Sequence, residues 1–352
     1  MQTTHSVLTG SASLLPGVGD ESVVLVITSP PYPMIAMWDD QFAAADPAVR
    51  TSLENGDGTT AFELMHELLR GAWQASWRAL IPGGILCINI GDATRTVADR
   101  FRLYPNHARI TEMCGNIGFD VLPMIHWYKP TNAPNKFMGS GMLPPGAYVT
   151  LEHEYILVFR KGGKREFAAG DRERRRRSAF FWEERNTWFS DRWTVGSVRQ
   201  QLSGGGRERS AAFPFELPFR LACMFSVEQD TVLDPFAGTG TTARAAAATG
   251  RNSVSIDIEP ALSVSTVESL ITTVDDSAHV QRSRLASHRR FIAERAEAGK
   301  QCKHQNERYG PVVTGQERDL VIRVPSGAKQ TNDREVCFTY GGEGEAGELQ
   351  FT

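Results

Sequence analysis

Two adjacent prolines, Pro30 and Pro31, follow closely on the unbroken apolar run Val23 to Ile27. Such a run reads as a short strand buried on both faces. A proline has no N–H to donate and holds φ near about −65°, so neither a helix nor a sheet ladder continues through the pair. The residue before a proline is itself pushed to extended backbone. The strand must therefore end in a stiff turn, Thr28-Ser29-Pro30-Pro31-Tyr32-Pro33. That turn holds a hydroxyl, a carbonyl and an aromatic face at a sheet edge, and the Pro30 carbonyl has no neighbouring amide to pair with. An ordinary strand-ending loop is the competing interpretation, because Ser and Pro are common turn formers.

The rest of the chain supplies the frame. His5 to Thr9 suits a strand, and the polar stretch Asp39 to Thr60 suits a long lid-like loop. Phe62, Met65, Leu68, Leu69, Trp73, Trp77 and Leu80 recur at helical spacing. Pro82-Gly83-Gly84 stops that helix, and Ile85 to Ile90 follows as a central strand. Arg109 to Ile117 suits a helix, Val121 to Trp127 a strand, and Tyr155 to Arg160 an antiparallel edge strand. Lys129 to Thr150, rich in Pro, Gly and Asn, reads as a loop. Alternation of strand and helix predicts an α/β fold with a mainly parallel sheet. Ala261 to Ala298 reads as helix, and Leu320 to Val324 and Val336 to Tyr340 as strands.

Charge is unevenly spread. Residues 160 to 209 carry 14 Lys/Arg against 7 Asp/Glu, which leaves 24 against 34 elsewhere. This segment contains Arg174-Arg175-Arg176-Arg177, the aromatic residues Phe180, Phe181, Trp182, Trp188, Phe189 and Trp193, and a closing Gly204-Gly205-Gly206. A bare arginine run is usually a solvated face, but interleaved charge and rings favour phosphate contact plus stacking on nucleic acid. The five cysteines lie far apart without a C-x-x-C pair, which predicts reduced thiols in a cytoplasmic protein. No H-x-x-x-H spacing suggests a metal, and no 18-residue apolar run suggests a membrane span.

A second candidate site is Thr231-Val232-Leu233-Asp234-Pro235-Phe236-Ala237-Gly238-Thr239-Gly240-Thr241-Thr242. A strand enters a glycine-rich turn that opens the alanine-rich helix Thr242 to Thr249. The glycines admit close backbone approach to a ligand, and the helix start favours a negative group. Asp257 ends the next strand, 17 residues beyond Gly240, a spacing at which a carboxylate can accept from both hydroxyls of an adenosine ribose. The absence of a lysine after the last glycine excludes a phosphate-binding NTPase loop. Taken alone, the motif formally suits a nicotinamide-dependent oxidoreductase as well as any other adenosine cofactor.

Together, Asp-Pro-Phe-Ala-Gly-Thr-Gly-Thr-Thr and the upstream Thr-Ser-Pro-Pro-Tyr resemble the amino-methylating DNA methyltransferases that use S-adenosyl-L-methionine. The order, Ser-Pro-Pro-Tyr first and cofactor loop last, is similar to the β arrangement of that family. Leu80-Ile81-Pro82-Gly83-Gly84, Trp127-Tyr128-Lys129-Pro130, His153-Glu154-Tyr155 and Phe213-Pro214-x-Glu216-Leu217 add to the likeness. It spans about residues 6 to 260 and departs at Gly10-Ser11, where many relatives have Gly-Asp.

The resemblance implies a Rossmann-like sheet with circularly permuted motif order and an inserted target recognition region. Residues 1–160 would be the catalytic half, 161–210 the recognition region, 211–275 the cofactor half and 276–352 an extension of unassigned role. Ser29 Oγ and the Pro30 carbonyl, held by Pro31, would accept hydrogen bonds from an exocyclic amine, and Tyr32 would stack on a base flipped out of double-stranded DNA. Asp234, Phe236, Gly238 and Gly240 would take the methionine end of the cofactor, with Pro235, Thr239 and Thr241 also binding it, Asp257 the ribose, and Phe213 and Pro214 the adenine side. DNA contacts would come from Arg174, Arg175, Arg176, Arg177, Trp127 and Lys129. Relatives with Ser at the first motif position mostly methylate cytosine at N4, whereas Asp is usual for adenine at N6. The expectation is therefore an N4-cytosine enzyme, monomeric or homodimeric, serving a restriction endonuclease on a separate chain. An N6-adenine enzyme, an NAD-dependent oxidoreductase and a non-catalytic nucleic-acid-binding module are the alternatives.

Overall fold

The computed structural model describes residues 1–129, 138–196 and 213–341. Pro130 and the Gly204-Gly205-Gly206 run lie outside the described residues. Ten described strands form one sheet, in the spatial order Arg192–Thr194, Asp120–Tyr128, His153–Arg160, Leu80–Ile90, Val23–Thr28, Thr231–Asp234, Asn252–Asp257, Gln2–Thr9, Glu335–Tyr340 and Pro325–Asn332. Neighbours pair in parallel, except that His153–Arg160 and Glu335–Tyr340 each run antiparallel to both of their neighbours.

All six residues of Val23–Thr28 are buried, as an unbroken apolar run in the middle of a parallel sheet requires. The strand pairs with Leu80–Ile90 on one side and Thr231–Asp234 on the other. From that line the chain winds outward in opposite directions, which makes it a topological switch point with a crevice at the carboxyl ends of the two strands. The helix Gly58–Ala79 covers one face; Asp57 caps it by accepting from Thr60 N at 3.0 Å, and it buries Phe62, Met65, Leu69 and Trp73. The helix Thr241–Ala248 packs on the strands Thr231–Asp234 and Asn252–Asp257.

Several expectations need correction. His153–Arg160 is antiparallel as expected, yet it is internal, enclosed by Leu80–Ile90 and Asp120–Tyr128. Asp39 to Thr60 is no open loop: Asp39–Ala45 and Pro47–Glu54 are helices, the second begun by a proline and capped by Asp46. Polar composition concealed them, because only Phe42, Ala43 and Val49 are buried there. Residues 320–324 are irregular, and the strand begins at Pro325. Residues 276–341 are not an appendage, since Glu335–Tyr340 completes the sheet beside Gln2–Thr9.

Two buried histidines tie this frame to pH. His5 is enclosed between Ser253 Oγ at 2.8 Å and Thr3 Oγ1 at 2.9 Å, and burial pushes its pKa down to about 3. His66 meets Asn106 Oδ1 at 3.0 Å, and burial pushes it down to about 4, against the opposing hydrogen bond. Both folded-state values lie below the unfolded value of 6.5. The stability these residues contribute is thus present above pH 6.5 and is lost as pH falls towards 4 for His66 and towards 3 for His5. Urea unfolding should therefore show falling stability between pH 6.5 and 4. His5→Gln should flatten that dependence by up to about 1.4 kcal/mol per pH unit; equal slopes in the two proteins would exclude a buried neutral His5.

Candidate active site

Two segments about two hundred residues apart meet at the switch point. Asp234, 2% exposed, ends its strand with a carboxylate that accepts from Thr28 Oγ1 at 2.7 Å, Thr242 Oγ1 at 2.7 Å and Phe236 N at 3.1 Å. Burial raises its pKa to about 6; the hydrogen bonds from Thr242, Thr28 and Phe236 pull the other way, and the nearby Asp257 adds a smaller upward push. One side chain thus joins the proline turn, the glycine loop and the helix behind it.

Beyond Asp234 the chain turns tightly. Gly240 has φ +81°, and a Cβ there would stand 2.5 Å from Thr266 Cγ2, so glycine is required on both counts. Gly238 N donates to Asp257 Oδ2 at 2.9 Å, and Glu259 N donates to Asp257 Oδ1 at 3.0 Å. The Asp257 carboxylate is thereby fixed at the rim of its strand.

A cavity of about 250 Å³ opens there. Ser29, Pro30, Pro31 and Tyr32 form one end, and Pro235, Phe236, Gly238, Thr239, Thr241 and Asp257 the other. Phe213, Phe42 and Leu262 add apolar wall. The helix Asp39–Ala45 is thus part of the cavity. Asp234, Gly240 and Pro214, all expected at the cofactor, do not line it; Asp234 and Gly240 instead shape the turn that does.

Beneath the proline turn lies a polar network. Tyr32 Oη donates to Glu154 Oε2 at 2.8 Å and accepts from Asn89 Nδ2 at 2.7 Å. Asn89 Nδ2 also approaches Glu154 Oε2 at 2.8 Å, Ser29 Oγ stands 3.2 Å from Tyr32 Oη, and Lys129 Nζ pairs with Glu154 Oε1. Burial, reinforced by the Glu154 charge, holds the Tyr32 phenol well above its ordinary pKa. Asn106 Nδ2 donates to both Pro33 O at 3.1 Å and Gly91 O at 2.9 Å, tying the proline turn to the end of the next strand. Sequence reasoning missed Asn89 and Asn106, and it noted Glu154 only within a motif. The available signal was Asn89, the single polar residue inside the apolar run Ile85 to Ile90.

The expected DNA contacts fare differently. Trp127 is 1% exposed and donates to Val195 O, so it is core rather than a base contact. Lys129 lies over the Trp127 ring and faces Glu154 at the site's edge. Arg174–Arg177 fall in the helix Asp171–Arg177. Arg177 is held by Glu228 and Glu173, and Arg174 pairs with Asp171. Arg165, just ahead of them, binds Asp230 at the amino end of the strand Thr231–Asp234. The arginine helix therefore stands at the opposite rim of the sheet from Ser29, roughly 20 Å away for a six-residue strand. Proximity in sequence to a recognition segment had suggested otherwise.

A double-proline turn and a glycine loop anchored by a strand-end carboxylate share one cavity at the switch point of a parallel sheet, the arrangement of an α/β protein that binds a nucleotide cofactor. The DNA methylase family model matches residues 23–267, and the chain belongs to that family, the N6/N4 DNA methyltransferases. It is 45% identical to the type II methyltransferase M.MthZI of Methanothermobacter thermautotrophicus over 97% of this chain and 96% of that protein. It is 48% identical to M.MjaI of Methanocaldococcus jannaschii over 74% and 89%. Among solved structures, a candidate DNA modification methylase from Thermus thermophilus, complexed with S-adenosyl-L-methionine, superposes with TM-score 0.58 at 32% identity, covering 76% of this chain and 94% of that one. The cytosine-N4-specific PvuII DNA methyltransferase shares the fold, with TM-score 0.50 at 18% identity over 75% of this chain and 86% of that one.

Placement of the arginine helix is directly testable. Removing a cation that neutralises one phosphate should reduce the salt slope of DNA binding by about 0.9. Because Arg175 and Arg176 face away from the site, Arg175→Ala with Arg176→Ala should leave both the salt slope and the methylation rate unchanged on a short duplex. A slope reduced by nearly two units would put these residues on the substrate.

Proposed function

We propose that this DNA methyltransferase transfers the methyl group of S-adenosyl-L-methionine to the exocyclic N4 of a cytosine flipped out of double-stranded DNA, as the modification enzyme of a restriction-modification system. The observation that carries this is the single cavity shared by Ser29-Pro30-Pro31-Tyr32 and the Gly238–Asp257 rim. The donor set suits the cofactor. Asp257 offers a carboxylate for the ribose, Gly238 and Thr239 offer close backbone, and Phe213, Phe236 and Leu262 offer apolar wall. When bound, S-adenosyl-L-methionine supplies an electrophilic sulfonium methyl.

The remaining chemistry belongs to the chain. An exocyclic amine is a poor nucleophile because its lone pair is conjugated into the ring. Ser29 Oγ and the Pro30 carbonyl accept its two hydrogens and draw that pair out of conjugation. The Tyr32 ring supplies the stacking surface for the displaced base. Positive charge then develops on the amine nitrogen, where the neutral oxygens of Ser29 and Pro30 stabilise it. Holding an acceptor and a methyl donor in line is worth about 7–11 kcal/mol of barrier, so placement is the main contribution. Among the described residues no cysteine lines the cavity, and Cys87, Cys114 and Cys223 are buried with thiol pKa values pushed up by desolvation. Carbon-5 methylation, which needs a thiolate, is thereby disfavoured.

Ser29 supports cytosine, through the association of Ser with N4 methylation in the family. Adenine N6 is the second reading, favoured by the same amine chemistry. Mass spectrometry of nucleosides from plasmid methylated by the protein should yield N4-methylcytosine; N6-methyladenine alone would overturn the choice of base. Asp257→Ala should weaken S-adenosyl-L-methionine binding by about 10- to 100-fold in calorimetry, the loss expected for hydrogen bonds to a charged group. NAD should not bind either protein.

A further inference from the structure

We infer that Glu154 is a positioning residue that fixes the direction of hydrogen bonding at Ser29, so that Ser29 offers a lone pair and no proton to the target base. This rests on Ser29 being the amine's acceptor, as proposed above. An ionised carboxylate can only accept. Glu154 Oε2 takes the Tyr32 phenolic proton at 2.8 Å and an Asn89 amide proton at 2.8 Å, while Oε1 faces the Lys129 ammonium. Having given its only proton to Glu154, Tyr32 Oη can only accept, and it does so from Asn89 Nδ2 at 2.7 Å. The Ser29 hydroxyl, 3.2 Å from the same oxygen, is left one role there, that of donor.

Asn89 cannot reverse this pattern. Turning its amide would aim Oδ1 at the Glu154 carboxylate, and Asn89 is only 6% exposed. Asn89 Nδ2 also approaches Ser29 Oγ, at 3.5 Å and as a donor, so the Ser29 proton points inward to Tyr32 and the remaining lone pair is left to face the cavity. A base carrying an amine at the reacting position finds an acceptor. A base carrying a carbonyl there meets oxygen against oxygen and is refused, the kind of mismatch that yields strong selectivity in a buried site. Glu154, which does not line the cavity, thus selects amino over oxo bases through Tyr32.

A glutamine at position 154 cannot reproduce this. Its oxygen can serve Tyr32 and Asn89 only if its NH₂ is turned on Lys129; the other orientation gives Tyr32 a donor. Tyr32→Phe breaks the same chain at the next link and keeps the ring.

The test uses the full chain saturated with S-adenosylhomocysteine. Fluorescence anisotropy compares duplexes carrying the enzyme's own methylation site with either the native target base or its deaminated counterpart, uracil for cytosine or hypoxanthine for adenine. The wild type should prefer the amino duplex by at least about tenfold, and Glu154→Gln and Tyr32→Phe should reduce that ratio below about threefold. S-adenosylhomocysteine affinity and thermal midpoint should stay unchanged. In single-turnover methyl transfer, Glu154→Gln should slow the wild type by at least about tenfold yet slow Ser29→Ala by less than about twofold, because the two act as one unit. Undiminished discrimination in both variants, or additive losses with Ser29→Ala, would overturn the role of Glu154. A Ser29→Ala protein as fast as the wild type would instead overturn the acceptor assignment on which it rests.

Discussion

The fold depends on one buried carboxylate at the line where its two halves meet. Asp234 accepts from Thr28 on the central strand, from Phe236 N in the glycine turn and from Thr242 on the helix behind it. Burying a carboxylate is unfavourable unless its oxygens are satisfied, and here burial still prevails far enough to raise the pKa to about 6. Three donors converge because one acceptor compels them to. Two segments distant in sequence are thus held in register, and both the proline turn and the glycine loop open on one cavity.

The sheet and the two turns that line the cavity were legible in the sequence; the supports were not. Val23–Thr28 could be read because a strand buried on both faces has to be apolar throughout, and two prolines leave it only one way to end. The Gly240 turn could be read because its positive φ and the close approach of Thr266 admit no side chain. Asn106 could not, since its importance lies in reaching Pro33 O and Gly91 O from another helix, and tertiary contact leaves no periodicity. The helices over 39–54 were hidden for a related reason. They bury few residues, so their pattern is nearly all polar, and the local signs of a helix were the first-turn Asp39 and Asp40, the capping Asp46 and the first-turn Pro47.

The arginine run shows where composition misleads. A cluster of four arginines suggests a polyanion, but Arg177 is spent on Glu228 and Glu173, and Arg174 on Asp171. Glu228 is held by Arg323 as well as Arg177, and the two cations, with their hydrogen bonds, keep its carboxyl below the ordinary range despite its desolvation. These pairs join the segment 161–196 to the amino ends of the strands and to the C-terminal residues. The charge surplus that looked like a binding surface therefore also acts as a clamp between chain regions.

Proline explains why so much support gathers beneath so short a turn. Pro30, Pro31 and Pro33 donate no hydrogen bond, so the turn cannot anchor itself through its own amides as a glycine loop can. Anchorage has to come from acceptor atoms and side chains: Asn106 takes Pro33 O, and Glu154 and Asn89 take Tyr32 Oη. The same lack of donors leaves the turn's oxygens to be met by side chains, as Tyr32 and Asn89 meet the Ser29 hydroxyl. A turn able to satisfy itself would need none of this side-chain support. The stiffness that ends the central strand and the network gathered at its end are thus two consequences of the same missing N–H groups.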